Sequence, residues 1–102
     1  MRYVSTRGSA PVLEFEDVVL AGLAVDGGLY VPEEYPYFSS GQIEAMRGLN
    51  YVDLAYKVLE PFVDGAINPD ALKGLINNSY KNFAHPEIAP IIKLDENVFI
   101  LE

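Results

Sequence analysis

Residues 25–36 read VDGGLYVPEEYP, and no long regular element can pass through them. The two glycines lack a Cβ and enter left-handed backbone freely, and Pro32 lacks the amide hydrogen that a central strand needs. The stretch therefore admits a turn and one short β-prone run, Leu29-Tyr30-Val31, halted by Pro32. Two readings stay open. Gly27 or Gly28 can end a preceding helix in left-handed conformation, or the pair can present bare backbone to a ligand or a neighbouring domain.

The flanks fit short elements. RYVST is β-prone and stops at Arg7-Gly8, with Pro11 soon after, which predicts a short strand and then a loop. In EFEDVVLAGLA, Phe15, Val18, Val19 and Leu23 recur at helical spacing, and Glu14, Glu16 and Asp17 crowd the positive end of that helix. EEYPYF is a loop. Ser39 with Gln42 three residues on resembles a capping box for a short helix that Gly48 stops. Asn50 caps the next helix, whose expected buried face is Leu54, Ala55, Val58, Leu59 and Phe62; Pro61 should kink or end it, and Asp64-Gly65 turns the chain.

Asn68 with Pro69 opens the clearest helix, with Leu72, Leu75, Ile76, Tyr80 and Phe83 along one face and a Gly74 that can allow close packing. A two-proline loop, AHPEIAP, leads to IIKLDENVFILE, two β-prone runs around an Asp-Glu-Asn turn. The expectation is one α+β domain over residues 1–102: mainly helical and small, with short strands and a C-terminal β-hairpin.

Charge and composition exclude several classes. Seven Lys and Arg face fifteen Asp and Glu, a net charge of −8, so the surface repels phosphate backbones and anionic lipid. Neither nucleic acid nor membrane is expected as a partner. With no cysteine there is no disulfide framework or thiolate metal site, which fits a reducing, cytoplasmic setting. The N-terminus has no apolar core of signal-peptide type.

Self-contained chemistry is scarce. His85 is the only histidine and precedes Pro86, a loop position suited to bonding backbone rather than to a triad or a metal site. The carboxylates form no forced pair, and no phosphate-binding loop or dinucleotide fingerprint is present. Ser5-Thr6-Arg7-Gly8 offers two hydroxyls, a guanidinium and freed amides, enough to hold an anion or to make an ordinary turn. The residues alone give no catalytic, cofactor or metal assignment.

Taken together, Tyr3 to Gly8, Phe15 to Val18, Gly22 to Pro32, Tyr51 to Ala55, Pro61-Phe62 and Tyr80 to Phe83 resemble the amino-terminal region of threonine synthases, a pyridoxal-phosphate family. The family's Y-x-S-T-R-G opening and its G-L-A-x-D-G-G-L-Y-x-P segment both stand here, the second being the more specific. Glu14 departs from a small capping hydroxyl residue. In the family the closing Leu-Glu is followed by F-H-G-P-T-x-A-F-K-D, whose lysine carries the cofactor. This chain stops at Leu101-Glu102, and Lys57, Lys73, Lys81 and Lys93 lie outside that motif.

The resemblance thus implies a non-catalytic amino-terminal domain that binds no cofactor itself. Its partners are the catalytic domains of the same chain. The full enzyme would convert O-phospho-L-homoserine and water to L-threonine and phosphate with pyridoxal phosphate. Ser5, Thr6, Arg7, Asp26, Gly27 and Gly28 are the implied substrate or domain-interface residues. Leu29, Tyr30, Tyr35, Tyr37, Phe38 and the outer face of the hairpin should then be apolar and exposed. Two alternatives remain: a stand-alone acidic protein-interaction module, and the same domain of a related phospho-lyase.

Overall fold

A computed structural model describes residues 1–102. The order of elements is β1 (Arg2–Ser5), β2 (Leu13–Glu14), α1 (Phe15–Ala21), β3 (Tyr30–Pro32), α2 (Ser40–Met46), α3 (Tyr51–Val63), α4 (Pro69–Tyr80), β4 (Ile91–Asp95) and β5 (Val98–Leu101). This is the expected α+β architecture. One antiparallel sheet has the order β2-β1-β3, and β4 pairs with β5 in a separate hairpin. No helix is long and apolar enough to cross a membrane.

The caps follow the local chemistry. The Ser39 hydroxyl accepts from the Gln42 N–H, and the Ser39 N–H donates to Gln42 Oε1, so the capping box is complete. Asn50 Oδ1 accepts from the Asp53 N–H, and Asn68 Oδ1 from the Asp70 N–H. Both orphan amides at those helix starts are thereby satisfied. Asp64 takes a φ of 49° and Gly65 one of 78°, which turns the chain after α3.

Several local expectations need correction. The diglycine does not end α1. Gly22 does, with a φ of 68° and its N–H on the Val18 carbonyl, so Leu23 lies beyond the helix and bridges Leu29. The loop after Gly8 contains the extra strand β2, two residues long, which pairs Tyr3 with Leu13. Of the two outcomes expected at Pro61, an end to α3 does not occur, since the helix runs on to Val63. Gly74 meets nothing within 4 Å of where a Cβ would stand, so it permits no close approach.

The helical core is rotated from the expected face. Tyr56 and Val63 of α3 pack with Leu72 and Ile76 of α4, flanked by Phe15, Val52, Ala55, Ile67 and Tyr80. Val58 and Leu59 are exposed instead, as are Leu75 and Phe83. The physical reason lies in Tyr56. Its ring fills the α3–α4 space while its hydroxyl reaches the Glu60 carboxylate at 2.7 Å, a polar tip that a hydrophobicity pattern scores as surface. The sheet is tied to these helices by Tyr3, buried, whose hydroxyl donates to the Phe62 carbonyl at 2.7 Å. Burial, with Asp64 nearby, raises the pKa of that phenol.

Candidate functional site: an internal carboxylate lock

The six residues singled out in sequence converge. β1 ends at Ser5, and the turn from Thr6 to Ser9 comes back against the turn from Ala24 to Leu29, which β3 carries alongside β1 through the pair Ser5 and Tyr30. Ser5, buried at 6% exposure, sets its Oγ across the Asp26 carboxylate, 2.8 Å from Oδ1 and 2.9 Å from Oδ2. The same Oγ accepts the Arg7 N–H at 3.1 Å. Gly28 N–H donates to Asp26 Oδ1 and Ser9 N–H to Oδ2, each at 2.9 Å. Of the Ser-Thr-Arg-Gly tetrad only Ser5 contacts this carboxylate, so the anion beside the tetrad is one of the chain's own.

Thr6 and Arg7 close the other side. Thr6 N–H donates to the Leu29 carbonyl at 2.8 Å, and Leu29 N–H returns to Thr6 Oγ1 at 3.0 Å. Arg7 Nη1 donates to the Asp26 carbonyl at 3.1 Å. Backbone conformation requires Gly27 and space requires Gly28. Gly27 has a φ of 79°, and a Cβ there would stand 2.8 Å from Arg7 Nη1. At Gly28 a Cβ would stand 2.3 Å from Ser5 Oγ, so the diglycine is bare backbone approached closely by the chain itself.

Charge follows the geometry. Burial works against the Asp26 charge, but the Gly28 N–H, the Ser5 hydroxyl and the Ser9 and Ala10 N–H groups together hold its carboxyl below the usual carboxylate range. The Ser9 and Ala10 donors were not legible in sequence, because a backbone amide carries no residue signature.

The lysines set the limit of the chain's chemistry. All four are exposed. Lys57 and Lys73 lie over the Tyr56 ring, with Nζ 5.9 Å and 4.9 Å from its centroid, and Lys81 Nζ bonds Asn78 Oδ1 at 3.0 Å. Lys93 stands on the exposed hairpin. No lysine is set in an apolar enclosure beside amides that could take a phosphate, so these residues do not fit a pyridoxal-phosphate site. His85 accepts the Glu87 N–H on Nδ1 at 3.1 Å, a local loop contact as expected.

A short β-sheet locked by a Y-x-S-T-R-G turn and a D-G-G turn, set on a helical pair, defines a small α+β domain. Residues 2–80 match the family described as threonine synthase N terminus, and the chain belongs to it. A threonine synthase of Pseudomonas aeruginosa is 51% identical over 102 residues, all of this chain and 22% of that protein. Threonine synthase-like 2 of Homo sapiens is 36% identical over 103 residues, 100% of this chain and 21% of its own length. The structure of a PLP-bound threonine synthase from Brucella melitensis superposes with a TM-score of 0.93 at 50% identity, over 100% of this chain and 22% of that one. A threonine synthase from Escherichia coli gives a TM-score of 0.83 at 27% identity, over 100% and 23%. The chain thus spans about a fifth of the length of the relatives it matches.

Proposed function

We propose that residues 1–102 are the amino-terminal domain of a cytoplasmic threonine synthase that converts O-phospho-L-homoserine and water to L-threonine and phosphate. The reading rests on one observation: the likeness to threonine synthases runs over the entire chain, at 51% identity to the Pseudomonas aeruginosa protein. The absence of cysteine agrees with a reducing compartment.

In the full-length protein, pyridoxal phosphate would serve as the electron sink for the carbanion chemistry. The reactive lysine and the phosphate cup belong outside these residues. The task left to this chain is positional. The lock of Ser5, Thr6 and Arg7 with Asp26, Gly27 and Gly28 fixes the path of the 5–9 and 24–29 turns. Those turns face the rest of the enzyme and help to wall its cleft.

The test is direct. The full-length protein, loaded with pyridoxal phosphate, is assayed for phosphate and threonine release from O-phosphohomoserine. Release of both supports the reading. Phosphate release without threonine assigns the protein to a related phospho-lyase, and release of neither overturns the assignment.

A further inference from the structure

The chain contains Val-Asp-Gly twice, at Val25-Asp26-Gly27 and at Val63-Asp64-Gly65. At an Asp-Gly step the glycine nitrogen can attack the preceding side-chain carboxyl, because no Cβ stands beside it. A succinimide ring forms, and its hydrolysis gives either aspartate or isoaspartate, whose backbone runs through the side-chain methylene. Ring closure needs a carboxyl free to move, a peptide unit free to turn, and room. The two steps share their local sequence, so the fold alone sets them apart.

At Asp26 the fold opposes closure. Ser5 Oγ, the Ser9 N–H and the Gly28 N–H hold the carboxylate. The peptide unit joining Asp26 to Gly27 is tied at both ends. Gly27 N–H donates to the Ala24 carbonyl at 2.9 Å, and the Asp26 carbonyl accepts from Arg7 Nη1 at 3.1 Å.

The turn after α3 lacks these ties. The Asp64–Gly65 peptide unit forms no hydrogen bond through the Gly65 N–H or the Asp64 carbonyl. Nothing lies within 4 Å of where a Gly65 Cβ would stand. The Asp64 side chain is 60% exposed, and its one partner is the Met1 ammonium, 2.5 Å from Oδ2. Asp64 also sits at a φ of 49°, which a residue with a Cβ leaves at a gain.

We infer that Asp64-Gly65 is a site of spontaneous backbone modification, through a succinimide to isoaspartate, and that the lock around Asp26 spares Asp26-Gly27. In the step, Gly65 N bonds to Asp64 Cγ and Oδ2 leaves as water. One proton comes from the Gly65 amide, the other from solvent or from the ammonium that already faces Oδ2. Water then opens the ring at either carbonyl, and nothing is oxidised or reduced. Isoaspartate adds a methylene to the chain at the end of α3.

Peptide mapping of the full-length protein, aged at neutral pH in heavy-oxygen water, tests it. Each ring that forms and opens leaves one heavy oxygen in its peptide, and electron-transfer fragmentation identifies isoaspartate. In the folded protein the Asp64 peptide should convert at least about tenfold faster than the Asp26 peptide, the factor that one hydrogen bond to a charged group carries. Unfolded in urea, the two should convert at equal rates. Asp64→Glu, whose ring would be one atom larger, should abolish the label at that site. Equal rates in the folded protein, or a faster Asp26, overturn the inference. So does an Asp64 that converts only in urea, or a label that survives Asp64→Glu.

Discussion

At Asp26 the carboxylate gains hydrogen bonds from the Ser5 hydroxyl and the Ser9 and Gly28 N–H groups on folding, and that sets how stability responds to acid. Its pKa is lowered in the folded state, so its contribution is present above the unfolded value of about 4 and is lost as pH falls through the lower folded value. Urea midpoints measured at neutral pH and near pH 3 (roughly one unit below that unfolded value) should therefore converge for the wild type and Asp26→Asn as the pH drops, with the wild type ahead only at neutrality. Equal midpoints throughout would mean the lock contributes nothing. Gly28→Ala is the steric counterpart. With Ser5 Oγ 2.3 Å from the new Cβ, neighbours must shift, and a loss of about 1–3 kcal/mol is expected in urea denaturation.

At the scale of elements, two helix substitutions have opposite signs. Ser39→Ala removes the acceptor for the Gln42 N–H and should lower stability by about 1 kcal/mol. Gly74→Ala meets open space in the middle of α4 and should raise it by up to about 1 kcal/mol, read from the shift in urea midpoint. Caps and turns were the most legible parts of this sequence. Ser39, Asn50 and Asn68 act through neighbours three residues away or fewer, so the pattern and the contact lie in the same few residues. The buried face of α3 was illegible for the opposite reason. Leu54, Val58 and Leu59 look like core by spacing, yet Tyr56 takes the place against α4, because what a helix faces is decided by elements far off in sequence. The end of α1 was misplaced because Gly22 and Gly27 both qualify as left-handed stops, and only tertiary pairing of the 23–29 turn with Thr6 separates them.

For the whole molecule, the exposed apolar surface is the dominant fact. Of 102 residues 9 are buried, although half the composition is hydrophobic. Leu29, Tyr35 and Tyr37 stand in solvent as expected, whereas Tyr30 and Phe38 are half-buried, Tyr30 with its hydroxyl on the Pro11 carbonyl. The six candidate residues were found in sequence as two motifs. Their union was not, because nothing in Ser5-Thr6-Arg7 announces a carboxylate 21 residues beyond Ser5.

In the proposed role, this chain shapes an enzyme without owning its reactive amine. The most direct measurement is peptide mapping by mass spectrometry of the full-length protein after borohydride reduction in the presence of pyridoxal phosphate. The account predicts the cofactor's mass on one lysine beyond residue 102. Stoichiometric modification of Lys57, Lys73, Lys81 or Lys93 would contradict it.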